Sequence, residues 1–141
     1  MLEVNVLSEE EADKKIEQFI DVFIEEIALT LRREMRSNID FLGITDLGFL
    51  KNSVHVYPVG DDFVVKVEAD YASAVNDGTF PHWAPIKPLL GWARRKLGEE
   101  KAAYAVRAKI AKKGTEPKPF VDPAIEVCFE FAFNNAVRRV F

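Results

Sequence analysis

Ser53 and His55 stand two residues apart in Lys51-Asn-Ser-Val-His-Val-Tyr57, a spacing that puts both on one face of a strand. A hydroxyl beside an imidazole is the start of a nucleophilic site, which further needs a group that orients the base. An outward Ser-x-His pair on a wet strand is more simply surface. His55 and His82 are isolated, and Cys128 has no partner at ligand spacing, so the convergent ligands of a metal site are missing. Asp61-Asp62 reads as a hairpin turn rather than a cation site. Gly78-Thr79 is too little for a phosphate-cradling loop. The expectation is no enzyme, no metal and no cofactor. A lone cysteine excludes an internal disulfide, and Cys128, in an apolar helical run, reads as a small buried hydrophobe.

Binding chemistry is better represented. Arg94, Arg95, Lys96, Lys109, Lys112 and Lys113 lie in a basic helical region, with Trp92 and Tyr104 near enough to stack on bases. That combination suits a nucleic-acid-binding module, although helical projection partly scatters the bases and a solvated basic face is the simpler alternative. The net charge is −4 overall, but residues 1–30 carry nine acids against two lysines, and residues 87–118 carry ten bases against three acids. A chain with poles of −7 and +7 suits head-to-tail association with copies of itself; two solvated helix faces of opposite sign are the alternative.

The elements that position these groups follow from periodicity. With 141 residues the chain is read as one domain, residues 1–141, able to bury roughly two-thirds of its unfolded surface. Leu2, Val4 and Val6 alternate with polar residues, predicting a short first strand. Ser8-Glu-Glu-Glu11 is a capping box for a long helix whose apolar face is Ile16, Phe19, Ile20, Phe23, Ile24, Ile27, Leu31 and Met35. After a loop over 43–48, Leu50, Val54 and Val56 alternate into a strand. Gly60-Asp61 is a tight turn, and the return strand places Phe63, Val65, Val67, Ala69 and Tyr71 on one face. Phe80–Pro88 is a proline-rich loop, either an exposed arm with aromatic anchors at Phe80, His82 and Trp83 or a stiff loop folded onto its own core. Helices are expected over about 88–97 and 99–113. A last helix follows, with Asp122 as N-cap, Pro123 first, and Ile125, Phe129, Ala132 and Phe133 inward. The predicted class is α+β: a long N-terminal helix packed on a small antiparallel sheet, a further helical segment and a C-terminal helix. No apolar run has membrane length, so the expectation is a cytoplasmic protein.

Four segments occur in a telling order: Gly48-Phe-Leu-Lys-Asn-Ser53 leading into a strand; Tyr71-Ala72 ending one, with Gly78-Thr79 in the turn; Trp83-Ala-Pro-Ile-Lys-Pro-Leu-Leu-Gly-Trp-Ala-Arg-Arg-Lys96; and Pro119-Phe-Val-Asp-Pro-Ala124. Together they resemble the tail-component family of long-tailed phages, which includes tail-completion and head-to-tail joining (neck) proteins. The chain departs from the family pattern at Asn76, where Glu is frequent, and at Asp122, where a base is common. The resemblance implies a non-catalytic virion protein of a phage or provirus. It implies a ring, such as a hexamer, at the head-proximal end of the tail. The partners implied are further copies, tail-tube proteins and head-completion or connector proteins, with phage DNA in passing contact and no membrane; the location is the host cytoplasm during assembly, then the virion. On that reading Tyr71, Gly78, Thr79, Phe80, His82 and Trp83 form an assembly interface. Within that interface Gly78 supplies positive φ. Gly48, Pro119, Phe120 and Pro123 have structural roles, with Pro119-Phe120 locking the last helix against the sheet.

Overall fold

Ser8 starts the longest element. Its hydroxyl accepts from the Glu11 N–H at 3.3 Å while the Glu11 carboxylate accepts from the Ser8 N–H at 3.1 Å, the expected capping box. Helix α1 then runs Glu9–Phe41. The computed structural model describes residues 1–44 and 46–141; Thr45, inside the expected 43–48 loop, lies outside the described residues. The remaining elements are α2 (Phe49–Asn52), β1 (Val54–Val59), β2 (Asp62–Val67), α3 (Ala72–Asp77), α4 (Ile86–Leu97), α5 (Ala102–Lys113) and α6 (Asp122–Val140). The architecture is α+β, with the long helix packed on a two-stranded antiparallel sheet and against the C-terminal helix.

The hairpin has the expected register. Val54 faces Val67, Val56 faces Val65 and Val59 faces Asp62, leaving Gly60-Asp61 as the loop. Gly60 has φ +61° at the first loop position, where a two-residue hairpin of this kind needs a left-handed residue. Along β2, Phe63, Val65 and Val67 are half-buried and alternate with exposed residues. Nε of Arg32 and an Nη of Arg36 donate to the Val54 carbonyl at 3.1 and 3.4 Å, tying the strand to α1.

Four local expectations differ from the structure. Residues 1–8 form no strand and are exposed, because no neighbouring strand lies beside them. Leu50 sits in α2 rather than in a strand, and Gly48, at φ +80°, caps that short helix. The return strand stops at Val67, so Tyr71-Ala72 is no strand end; Tyr71 is the cap of α3, a helix where a simple turn was expected. Glu68 N–H still reaches Ser53 O at 3.0 Å, but beyond it the two-stranded sheet gives way and the backbone turns into local hydrogen bonds instead: Ala72 N–H to Ala69 O at 3.0 Å and Val75 N–H to Tyr71 O at 3.1 Å.

The fourth difference concerns α6. It begins one residue earlier than expected, with Val121 as cap, Asp122 in the first turn and Pro123 near the start. The buried stripe is Ala124, Cys128, Ala132, Ala136 and Val140, while Ile125, Phe129 and Phe133 remain exposed to about half. Small side chains at every fourth position let α6 lie close on α1, and that close approach wins over the larger residues. Of the expected α1 face, Met35 is buried, Ile27 and Leu31 are half-buried, and Ile16, Ile20 and Ile24 are left exposed. Phe19, Phe23 and Phe133 form a ring cluster with centroids 5.5–5.9 Å apart. Lys15 Nζ reaches the Val140 carbonyl at 3.0 Å at one end, and Asn38 Nδ2 reaches the Phe120 carbonyl, just before α6, at 3.1 Å at the other, so the two helices run antiparallel; Arg139 also binds Glu26 at 2.8 Å.

The core gathers Met35, Ile39, Leu50, Val54, Ala72, Phe120 and Ala124. Phe120 is its largest fully buried side chain, 1% exposed. Its burial takes backbone groups out of water as well. Asn76 Oδ1 accepts the N–H groups of Phe120 and Val121 at 3.0 and 3.2 Å, and Asn38 Nδ2 donates to the Phe120 carbonyl at 3.1 Å. Phe120→Ala is expected to cost about 3–5 kcal/mol, measured as a lower urea midpoint with an unchanged slope.

Candidate assembly interface

Residues 80–113 form an arm, and its root is a matched pair of Gly-Thr steps. Thr79 N–H donates to Thr115 O at 3.0 Å and Thr115 N–H donates to Thr79 O at 3.1 Å, an isolated antiparallel bridge. The two threonine hydroxyls meet at 2.8 Å. Gly78 and Gly114 precede them, each at φ +73°. A Cβ on Gly78 would lie 2.6 Å from Thr115 O, and one on Gly114 would lie 2.0 Å from Thr79 O. Backbone strain and backbone collision therefore both demand glycine at these two positions. The His82 N–H to Ile110 O bond at 3.3 Å and the Lys118 N–H to Val75 O bond at 2.9 Å complete the root.

Past the root, Phe80 is 91% exposed and Trp83 is 67% exposed. The loop is an exposed arm carrying aromatics rather than a segment folded onto the core. The Arg107 guanidinium lies 4.1 Å from the Trp83 ring centroid and holds the indole against the arm. His82 Nδ1 is 2.9 Å from the Phe80 carbonyl. Helix α4 follows Pro85, with Pro88 in its first turn, where its missing N–H leaves no helical bond unmade. Gly98, at φ +73°, ends α4, and Gly114 ends α5.

A second tie crosses from arm to body. Arg95 binds Asp46 through two nitrogens, Nε at 2.9 Å and Nη2 at 2.6 Å. The hydrogen bond from Arg95 holds the Asp46 carboxyl below its ordinary value; burial opposes this, and the charges of Arg95 and Lys96 add to it. The same bond raises the Arg95 guanidinium further. Burial raises the Tyr71 phenol, and the Asp46 charge adds to that, against an opposing bond with the Leu50 backbone.

Between arm and body lies a cleft of about 770 Å³. Leu47, Phe49, Leu89, Trp92, Val106 and Ile110 make its apolar walls, and Tyr71, Thr79, His82 and Arg95 also line it. The expected interface residues thus divide into three groups. Tyr71, Thr79 and His82 face the cleft, Gly78 shapes its root, and Phe80 and Trp83 stand outside it. The six expected bases divide as well. All six are exposed, but Arg95 also lines the cleft and binds Asp46, whose carboxyl feels Lys96 as well. Pro119 is exposed beside the buried Phe120.

The Ser53 hydroxyl donates to the Leu50 carbonyl at 2.8 Å, and His55 lies 3.7 Å from Glu68 across the hairpin. Ser53 and His55 are not joined as nucleophile and base. Among the described residues, no group of three His, Cys, Asp or Glu side chains could hold a metal ion. Among them also, no helix is long and apolar enough to cross a membrane. Sequence reasoning missed Asp46, Asn76 as a support for α6, and Gly114-Thr115. The signal for the last was present: a second Gly-Thr on the far side of the basic segment.

Set beside known protein families, curated proteins and solved structures, the chain matches none of them.

Two outcomes follow. Gly114→Ala should open the root, read as faster amide exchange at Thr79 and Thr115 with α1 and α6 still protected. The Asp46 carboxyl titrates lower in the folded chain than unfolded, so its contribution is complete above the ordinary aspartate range. It is lost as pH falls from there through the lowered folded value. Protease cleavage within residues 80–113 should rise across that window in the wild type, while Asp46→Asn should cleave readily at all pH values.

Proposed function

We propose that this protein is a structural component of a tailed-phage or provirus virion. Its copies join into a ring at the head-proximal end of the tail, where tail-tube and head-completion or connector proteins would meet it, and it performs no catalysis. The observation that carries the reading is the surface: a rooted arm that presents Phe80 and Trp83 to solvent. Large side chains on an arm cost solubility unless a partner covers them, and aromatic residues of this kind are the usual anchors of protein interfaces. Further support comes from the four ordered segments resembling the tail-component family. Two of them include structurally demanding places: Gly78-Thr79 at the root of the arm and Phe120 in the core. The opposed charges agree with a head-to-tail contact. The acidic half of α1 lies with the C-terminal end of α6, and the basic segment forms the arm.

Native mass across a concentration series at low and moderate salt tests the reading. A discrete ring-sized oligomer, weakened by salt, is expected. Trp83→Ala should leave the melting temperature within a few degrees of wild type and abolish the oligomer, because the indole packs on Arg107 rather than in the core. A global loss of fold in Trp83→Ala would refute the arm as an assembly element. Salt-sensitive binding of duplex DNA by a chain that never oligomerises would favour the nucleic-acid reading instead.

A further inference from the structure

Residues 2–7 and the cleft are each incomplete within one chain. Leu2, Val4 and Val6 alternate with Glu3 and Asn5, a pattern made for contact on one side, yet Val4 is 78% and Val6 88% exposed. The cleft has the opposite defect. Its walls are apolar, and its volume of about 770 Å³ falls among sites that enclose a ligand, roughly 300–1,000 Å³.

The two cannot meet inside one molecule. The segment precedes the first residue of α1, and the cleft is lined by Ile44, Asp46 and Leu47, just beyond the helix's last residue. A helix of 33 residues is about 50 Å long. Residues 2–7, fully extended, reach only about 20 Å. The gap is more than twice the reach.

Charge favours a second copy as the occupant. The segment carries Glu3 and leads into Glu9, Glu10 and Glu11. Lys87 and Lys118 line the cleft, and neither has an acidic partner among the described residues; Glu116 offsets one of them. Lys51 and Arg95, also in the lining, are already bound to Asp40 and Asp46.

We propose that residues 2–7 of one copy lie extended in the cleft between α2–α3 and α4–α5 of the next copy, with Leu2, Val4 and Val6 against the apolar walls and the acidic start of α1 near Lys87 and Lys118. The contact is heterologous: each copy gives a segment and receives one, so it propagates until it closes. It rests on the reading of the protein as a self-assembling subunit and names the joint.

The test uses the full chain. Val4→Glu/Val6→Glu alters only exposed side chains, so the fold is kept while the segment is spoiled. A dye-labelled peptide of residues 2–11 is titrated against this variant by fluorescence anisotropy. Saturable binding is expected, weakened roughly tenfold when Lys87→Glu/Lys118→Glu is added and lost when Ala74→Phe fills the cleft. Absence of saturable binding, or binding indifferent to both cleft changes, overturns the seat. Native mass separates the joint from the assembly reading. If Val4→Glu/Val6→Glu oligomerises as wild type does, the joint is wrong and assembly stands. If the peptide binds as expected but the wild-type chain stays monomeric, the seat is right and self-assembly fails. Mixing Val4→Glu/Val6→Glu with Ala74→Phe should give a one-to-one dimer and nothing larger, since each retains one working half.

Discussion

Placing Phe120 in the core is the constraint from which the rest of the structure follows. Its ring fills the space between α1, β1 and α3, and this drags the backbone at 120–121 away from water. Unpaired backbone groups at that depth cost about 1–3 kcal/mol each. Asn76 and Asn38 supply the partners from two different elements. The carboxamide of Asn76 is suited to this because a neutral acceptor can sit half-buried without the desolvation cost of a carboxylate. The position where the resembled family often carries Glu is, in this chain, part of the core's support.

Once Phe120 is seated, the geometry of the arm is largely decided. Lys118 N–H bonds to Val75 O, two residues before the core anchor, and Thr115 pairs with Thr79 just upstream. The backbones approach so closely at 78–79 and 114–115 that only glycine fits beside each threonine. Asp46 and Arg95 add a tie at a distance from the root. The arm is held at two places and leaves a cleft between them, so its angle to the body is set by backbone contacts and one ion pair rather than by a packed interface.

The same economy marks the other end of the molecule. Helix α6 lies on α1 through alanines and Cys128, a packing that uses little side-chain volume. The larger residues of both helices stay at the flanks, and the aromatic cluster of Phe19, Phe23 and Phe133 covers only part of them. Burial also raises the Cys128 thiol above its ordinary value, as expected for an inert core cysteine. Acidic residues crowd this end and basic ones the arm, so the two ends of the molecule carry opposite charge.

Local sequence determined what local physics controls. The capping box at Ser8, the two-residue turn at Gly60, the alternation in β2, the proline-led start of α4 and the stops at Gly98 and Gly114 are satisfied within a few residues of chain, and each is legible there. Tertiary structure decided whatever depended on a neighbour. Residues 2–7 have strand periodicity but no strand beside them. Residues 68–71 continue the alternation of β2 past the point where β1 can pair. In α6, Ile125 and Phe129 have the hydrophobicity for burial, yet Ala124, Cys128, Ala132 and Ala136 are buried because close helix contact requires small side chains. The pairing of Gly78-Thr79 with Gly114-Thr115, the reach of Asn76 to the start of α6, and the cleft itself join residues some 35–50 positions apart. Periodicity describes one element's own faces; which face is covered is a property of what folds against it.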